Sequence, residues 1–248
     1  MIKVTDITSP TNETYQKFKS LLTAKGIKKE GLCLLSGQDL VREFLNSKSS
    51  LKIHAEILKE GLNPVTDHRF TVKLPKILFD ELDTLGTHFN LLILEVPEIS
   101  NLTDLTLPPE QPQVILPLGD PSNLGAAIRS CEAFGIHEIL LTQESANPFL
   151  PKALKASAGS LLRVRLFKTG SISGISTQHV LALDSQGQNL MSYQWPKSFR
   201  LLVGEEGPGL GDLAIRNRIS IPTENVESLN AVVALSVALY DYKRKSNK

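Results

Sequence analysis

From Val114 onward the chain alternates between short, almost wholly apolar runs and helical stretches, and no other feature restricts its fold so tightly. The runs are VILPLGD, HEILLTQ, VRLFK, HVLALDS, FRLLVGEE and RISIPT; helical segments NLGAAIRSCEAFG and LPKALKASAGS lie among the first three. A strand with one wet face alternates polar and apolar residues, whereas a strand covered on both faces reads as a continuous apolar run. The pattern therefore predicts a parallel α/β sheet with helices on both faces, and ligands in such sheets bind outside the carboxyl ends of the strands. Asn123, Asp184, the stretch 204–206 and the stretch 222–230 all fall at those ends.

The preceding residues form a second pattern. A lysine-rich helix is expected over 12–29, then strand GLCLLSG, helix QDLVREFLNS, a strand around KIHAEIL, a helix near 75–85 and strand NLLILEV. Tyr15, Phe18, Leu21 and Leu22 mark the apolar face of the first helix; its lysines are either a solvated face or an RNA contact. This reads as a small α/β domain at 1–97. Pro97, Pro108, Pro109 and Pro112 then interrupt any periodicity, so 98–112 is expected to be a linker and 113–248 the second domain.

Composition excludes several classes of function. With 41% hydrophobic and 21% charged residues among 248, the chain has the make-up of a globular protein, with no apolar run long enough to span a bilayer and no signal-peptide pattern at its start, so cytoplasm and no membrane partner are the expectation. Lys and Arg number 27 against 26 Asp and Glu, so any nucleic-acid surface must be a local cluster. Cys33 and Cys131 lie far apart in apolar segments, and the five histidines have no ligand spacing, so neither a disulfide framework nor a metal site is expected. GSISG at 170–174 is not G-x-S-x-G, and the GPGLG turn at 207–211 is neither a dinucleotide fingerprint nor a P-loop.

The polar side chains Glu206, Ser228 and Asn230 stand where a plain core would carry aliphatics, and Ser228 with Asn230 has the alternative reading of a helix-cap pair. Asp120, Pro121 and Ser122 form a helix start ahead of Asn123, with Arg129 six residues further on. A guanidinium there offers a planar fork of donors suited to phosphate.

Taken in order, DPSNLGAAIRSCEAFG, LLVGEEGPGL and ISIPTENVESLNAVVALSVALYDY resemble the three motifs of the SpoU (TrmH-like) branch of the SPOUT RNA 2′-O-ribose methyltransferases, and KASAGSLLRV resembles the segment between the first two. The first 97 residues resemble, more loosely, the L30e-like substrate-binding domain found in many members. The resemblance implies a trefoil-knotted catalytic domain, S-adenosylmethionine as methyl donor, a homodimer in which each site borrows from its neighbour, and structured RNA as substrate, ribosomal RNA ahead of transfer RNA. It implies main-chain contacts to the donor from Gly204, Ile221 and Leu229, with Leu183 near the adenine, and Gly204 and Pro222 sit at strand-end bends. Arg129 matches the proposed activator of the ribose hydroxyl, supported by Asn123, Glu206, Ser228 and Asn230. A guanidinium is not deprotonated in proteins, which leaves two roles open: activation together with an RNA phosphate, or positioning of phosphate and stabilisation of the developing alkoxide. A non-catalytic RNA-binding factor of the same fold is the rival; its mark would be loss of Arg129, Glu206 or Asn230, and all are present. The chain departs from the family at Ser36, His88 and Asn90, where glutamate, glutamine and glycine are usual.

Overall fold

Leu35, Ile57 and Leu92 in the first hundred residues and Ile115, Leu140 and Leu202 in the remainder are fully or almost fully buried, and each set lies in strands that pair across one sheet. The computed structural model describes residues 4–47, 49, 51–204, 213 and 215–246. The chain divides into two compact units, one of residues 1–98 with 147–162, the other of 99–146 with 163–248.

The first unit contains β1 (Val4–Asp6), α1 (Glu13–Ser20), α2 (Ala24–Glu30), β2 (Leu32–Leu35), α3 (Gln38–Asn46), β3 (Ile53–Leu58), β4 (Thr71–Lys73), α4 (Lys76–Leu82) and β5 (Leu91–Glu95). The sheet order is β1-β4-β3-β5-β2, with β5 antiparallel to both its neighbours. The helix expected over 12–29 is two helices. Thr23 caps the second by accepting from the Gly26 amide at 3.1 Å, and a Cβ on Gly26 would lie 1.9 Å from the Ser20 carbonyl oxygen, so the two segments meet at a point only glycine allows. Lys17, Lys19 and Lys29 of this region pair with Glu30 or Glu81, which favours the solvated-face reading for them.

Two of the family departures have structural work in this unit. Asn90 is fully buried; its Oδ1 accepts from the Lys59 amide at 3.0 Å, and its Nδ2 donates to Glu56 Oε1 at 2.9 Å and to the Asn63 carbonyl at 2.8 Å. Glu56, equally buried, accepts from the Val65 and Thr66 amides, so the pair holds the loop after β3. His88 takes a positive φ of 54° in a turn that Asp83 fixes by accepting from the Thr87 and His88 amides.

The second unit contains β6 (Ser100–Asn101), β7 (Gln113–Leu116), α5 (Pro121–Ala133) and β8 (Glu138–Leu141). The chain then passes through α6 (Pro151–Ser157), which clusters with the first unit, and returns for β9 (Arg165–Lys168), β10 (Val180–Asn189), β11 (Arg200–Leu202), β12 (Asn217–Ser220) and α7 (Ala231–Ser246). The seven strands run in the order β12-β10-β11-β7-β8-β9-β6, every pair parallel. The α/β architecture and parallel sheet are those read from the sequence.

Register explains the core. Ala182, Leu202, Ile115, Leu140 and Phe167 occupy one row across five strands, and with Val180 and Ile215 they enclose Leu105, which is 1% exposed. Here the expected linker is corrected. Residues 100–107 are part of the second unit: β6 pairs with β9, Leu105 enters the core, and the Leu105 and Leu107 carbonyls accept from the Arg200 guanidinium at 3.0 and 2.7 Å. Prolines stop periodic structure, but they do not stop a segment from packing. The expected second domain likewise gives up 147–162 to the first unit, where α6 packs on β2 and Gly159, with φ of 81°, lies so close to Glu43 that a Cβ would come within 2.4 Å of its carboxylate.

Candidate functional site

Sheet order locates the site before any side chain is considered. After β7 the chain goes through α5 to β8 on one side, whereas β11 is followed by β12 two places away on the other. At such a reversal, loops diverge from the carboxyl ends of β7 and β11 and leave a crevice between them.

Asp120 sets the first wall. Its side chain accepts from the Asn123 amide at 2.8 Å and Pro121 takes the first helical position, so α5 starts with Asn123 in its opening turn, directly after β7; such a cap contributes about 1 kcal/mol. Arg129 lies on the same helix, is exposed, and has no hydrogen-bond or ion-pair partner among the described residues. Six residues correspond to about 9 Å of rise and roughly 120° of net rotation, so Asn123 and Arg129 do not share a face of α5.

The other walls come from the neighbouring strands. Gly204 follows β11 and is half-buried; Ile221 is half-buried and Pro222 exposed after β12. Leu183 lies in β10 with 9% exposure. Directly after it the strand leaves its ladder: Leu183 and Gln188 both face Ile219 of β12, so residues 184–187 are extruded. Gly187 has to be glycine there, because a Cβ would fall 2.4 Å from the Ile219 nitrogen. Ser228 is exposed and Leu229 half-buried in the segment before α7. Asn230 caps α7, its Oδ1 accepting from the Val232 amide at 2.9 Å, and so takes the cap role given as its alternative. Glu206 and the GPGLG turn lie outside the described residues. The structure thus places Asn123, Leu183, Gly204, Ile221 and Pro222 at the carboxyl ends of four adjacent strands, with 228–230 leading into the helix that packs against α5.

The extruded loop has a partner that sequence reading passed over. Arg218 of β12 pairs through Nη1 with Asp184 Oδ2, and donates from Nε to the Ile215 carbonyl at 3.1 Å and from Nη2 to the Leu213 carbonyl at 2.8 Å. Asp184 Oδ1 also accepts from the Gln186 amide at 2.9 Å. A polar cleft of about 350 Å³ opens beside this arrangement, lined among others by Gln186, Gln188, Tyr193 and Arg216. The D-x-x-G spacing of Asp184 and Gly187 inside an apolar strand was the available signal. Among the described residues no three His, Cys, Asp or Glu side chains come together as a metal site.

Behind the site, α7 packs on α5 through Ser130 and Ser236, whose hydroxyls are 2.8 Å apart, and through Phe134 and Tyr240. Its last turns are pinned to 190–199: Lys245 donates to the Leu190, Met191 and Tyr193 carbonyls, and Trp195 Nε1 donates to Asp241 Oδ2 at 3.0 Å. Burial pushes the Asp241 carboxyl up, but Lys245, Arg244 and Trp195 more than offset this and hold it below the usual aspartate range. Val233, Val237 and Tyr240 are left as an exposed apolar stripe.

Residues 114–240, about half the chain, match the sequence profile of the SpoU rRNA Methylase family. The chain belongs to that family. Among relatives of this SpoU protein, a ribosomal RNA small subunit methyltransferase G 2 of Syntrophobacter fumaroxidans is 35% identical over 247 residues, 98% of this chain and 50% of the relative. The chain therefore spans about half of that protein, and the activity in its name is said of the longer molecule. An uncharacterized tRNA/rRNA methyltransferase of Synechocystis is 26% identical over 98% of this chain and 94% of its own. Among solved structures, the AdoMet-bound rRNA methyltransferase of Sinorhizobium meliloti superposes with a TM-score of 0.78 at 21% identity, covering 97% of this chain and 98% of that one. The SpoU methyltransferase AviRb of Streptomyces viridochromogenes, in complex with AdoMet, gives 0.76 at 20% identity, covering 96% and 99%. At these identities the likeness establishes the fold alone, which this chain shares with both structures.

Proposed function

We propose that this protein is an S-adenosylmethionine-dependent RNA methyltransferase that modifies a ribose 2′-hydroxyl, with ribosomal RNA as its substrate, acting as a cytoplasmic homodimer. The observation that carries this reading is the gathering of Asn123, Leu183, Gly204, Ile221 and Pro222 at the carboxyl ends of four adjacent parallel strands, at the point where the strand order reverses.

The residues fit a methyl donor of this kind. Gly204, Ile221 and Leu229 offer main-chain groups to the donor beyond the strand ends, with Leu183 near the adenine and Pro222 at the bend after β12. S-adenosylmethionine, when bound, supplies an electrophilic sulfonium methyl. A 2′-hydroxyl is a weak nucleophile at neutral pH, so what the chain must provide is alignment and stabilisation of the charge that develops on oxygen. The planar guanidinium of Arg129 holds a phosphate and stabilises that oxygen. Asn123, Glu206, Ser228 and Asn230 fix the arrangement around it.

The position of Arg129 bears on the assembly. Arg129 is exposed and lies roughly 120° around α5 from Asn123, and α7, packed against α5, leaves Val233, Val237 and Tyr240 exposed. A second copy covering that stripe brings Arg129 of one chain to the pocket of the other. The knot follows from the same reading, with the carboxyl-terminal segment threaded behind the donor loops, and the first unit selects the RNA. Calorimetric titration with S-adenosylmethionine tests the donor, the expected result being one site per chain; no binding contradicts the reading. Mapping 2′-O-methylation in RNA from a deletion strain identifies the target, since one mark is expected to disappear. Light scattering is expected to give a dimer at micromolar concentration, and a stable monomer there would contradict the shared site.

A further inference from the structure

We infer that Arg218 is a positioning residue for the methyl donor: it ties the extruded loop of β10 to Leu213 and Ile215, which precede β12, and so presets two sides of the pocket. The inference rests on the donor-pocket reading above.

The geometry is specific to one side chain. Nη1 engages Asp184, while Nε and Nη2 hold the carbonyls of Ile215 and Leu213 at 3.1 and 2.8 Å, so the guanidinium satisfies one carboxylate and two main-chain acceptors at once. The Arg218 side chain is 24% exposed and that of Asp184 15%, a setting in which such bonds are poorly replaced by water. Asp184 in turn shapes the loop through the Gln186 amide, and the Gly187 carbonyl is fixed by Ser220 Oγ at 2.9 Å. Residues 184–187 begin directly after Leu183, and Ser220 precedes Ile221, both proposed donor contacts. Lysine has the charge for Asp184 but not the planar fork for two further carbonyls. Release of Arg218 therefore leaves the strands in place and lets the loops that meet the donor choose among conformations, a cost collected when the donor binds.

The experiment compares wild type with Arg218→Met, Arg218→Lys and Asp184→Asn, measuring S-adenosylmethionine affinity by calorimetry, RNA affinity by filter binding, and KM for the donor separately from kcat. Arg218→Met is expected to weaken donor binding at least tenfold and raise its KM in proportion, with kcat at saturating donor and RNA affinity within twofold of wild type. Arg218→Lys is expected to recover part of the loss, and Asp184→Asn, which keeps an acceptor for Gln186, to lose several-fold. Should Arg218→Met fail to fold, the two milder variants decide. Donor affinity within twofold of wild type in folded variants, even with a lowered melting temperature, overturns the inference, as does a loss confined to RNA binding. A wild type that binds no donor overturns the pocket reading itself.

Discussion

The two ends of the seven-stranded sheet treat polar side chains in opposite ways. At the amino ends, one row carries Arg200, Gln113, Glu138 and Arg165 on four neighbouring strands, and each bonds the next: Arg200 Nε to Gln113 at 2.8 Å, Gln113 to Glu138 at 2.7 Å, and Arg165 to Glu138 at 2.6 Å. Beyond the carboxyl ends Ser228 is exposed and Asn230 spends its side-chain oxygen on a helix cap, while Arg129, further along α5, is exposed with no partner among the described residues. The first set is a closed network that fixes register and anchors 105–107. In the second, Arg129 and Ser228 retain capacity for a ligand. Polar residues that satisfy one another are structure, and exposed ones left without a partner are candidates for chemistry.

Exchanging the two ends by mutation is the strongest way to break this contrast. Arg129→Ala is expected to lower methyl transfer by about 10²-fold or more while donor affinity and melting temperature stay near wild type, as rate, calorimetry and thermal melts would record. Arg200→Met is expected to do the reverse, costing about 2–4 kcal/mol of stability through the orphaned Leu105 and Leu107 carbonyls, with donor affinity retained in the folded protein. A chemical denaturation curve unchanged by that substitution would remove the structural reading of the amino-end row.

Asn230 lies on both sides of the comparison and sharpens it. Asn230→Ala is expected to lose about 1 kcal/mol from the α7 cap and methyl transfer as well, whereas Asn230→Asp keeps the cap and loses only transfer. Equal transfer by Asn230→Asp and wild type would make the residue a cap alone.

The smallest expected effect concerns pH. The folded Asp241 carboxyl titrates below its unfolded value, so its contribution is fully present above the ordinary aspartate pKa of about 3.9 and is lost as pH falls through the depressed folded value. Trp195 is the only tryptophan in the chain and bonds Asp241, so its fluorescence is expected to hold steady to about pH 4 and change below it. A transition near neutrality would point to another group.

The middle of the second unit was legible because β7, β8 and β11 are buried on both faces, which writes VILPL, EILL and RLLV as almost unbroken apolar runs. β1, β4 and β6 went unread because two or three residues carry no period. The break between α1 and α2 depends on Gly26 meeting the Ser20 carbonyl, and the allegiance of 147–162 on packing against β2, both tertiary facts that local propensity does not encode. At the candidate site, the placement of Asn123 and the strand-end residues beyond the sheet was legible from motif order and strand position. Arg218 was not, since an arginine in RISIPT reads as surface until the loop it clasps is seen.

The most direct test of the account is incubation of the protein with ribosomal RNA and methyl-labelled S-adenosylmethionine, followed by digestion to nucleosides and mass spectrometry. Label on a single 2′-O-methylnucleoside, absent when Arg129→Ala replaces wild type, is the predicted result; label on a base, or equal labelling by the variant, would contradict it.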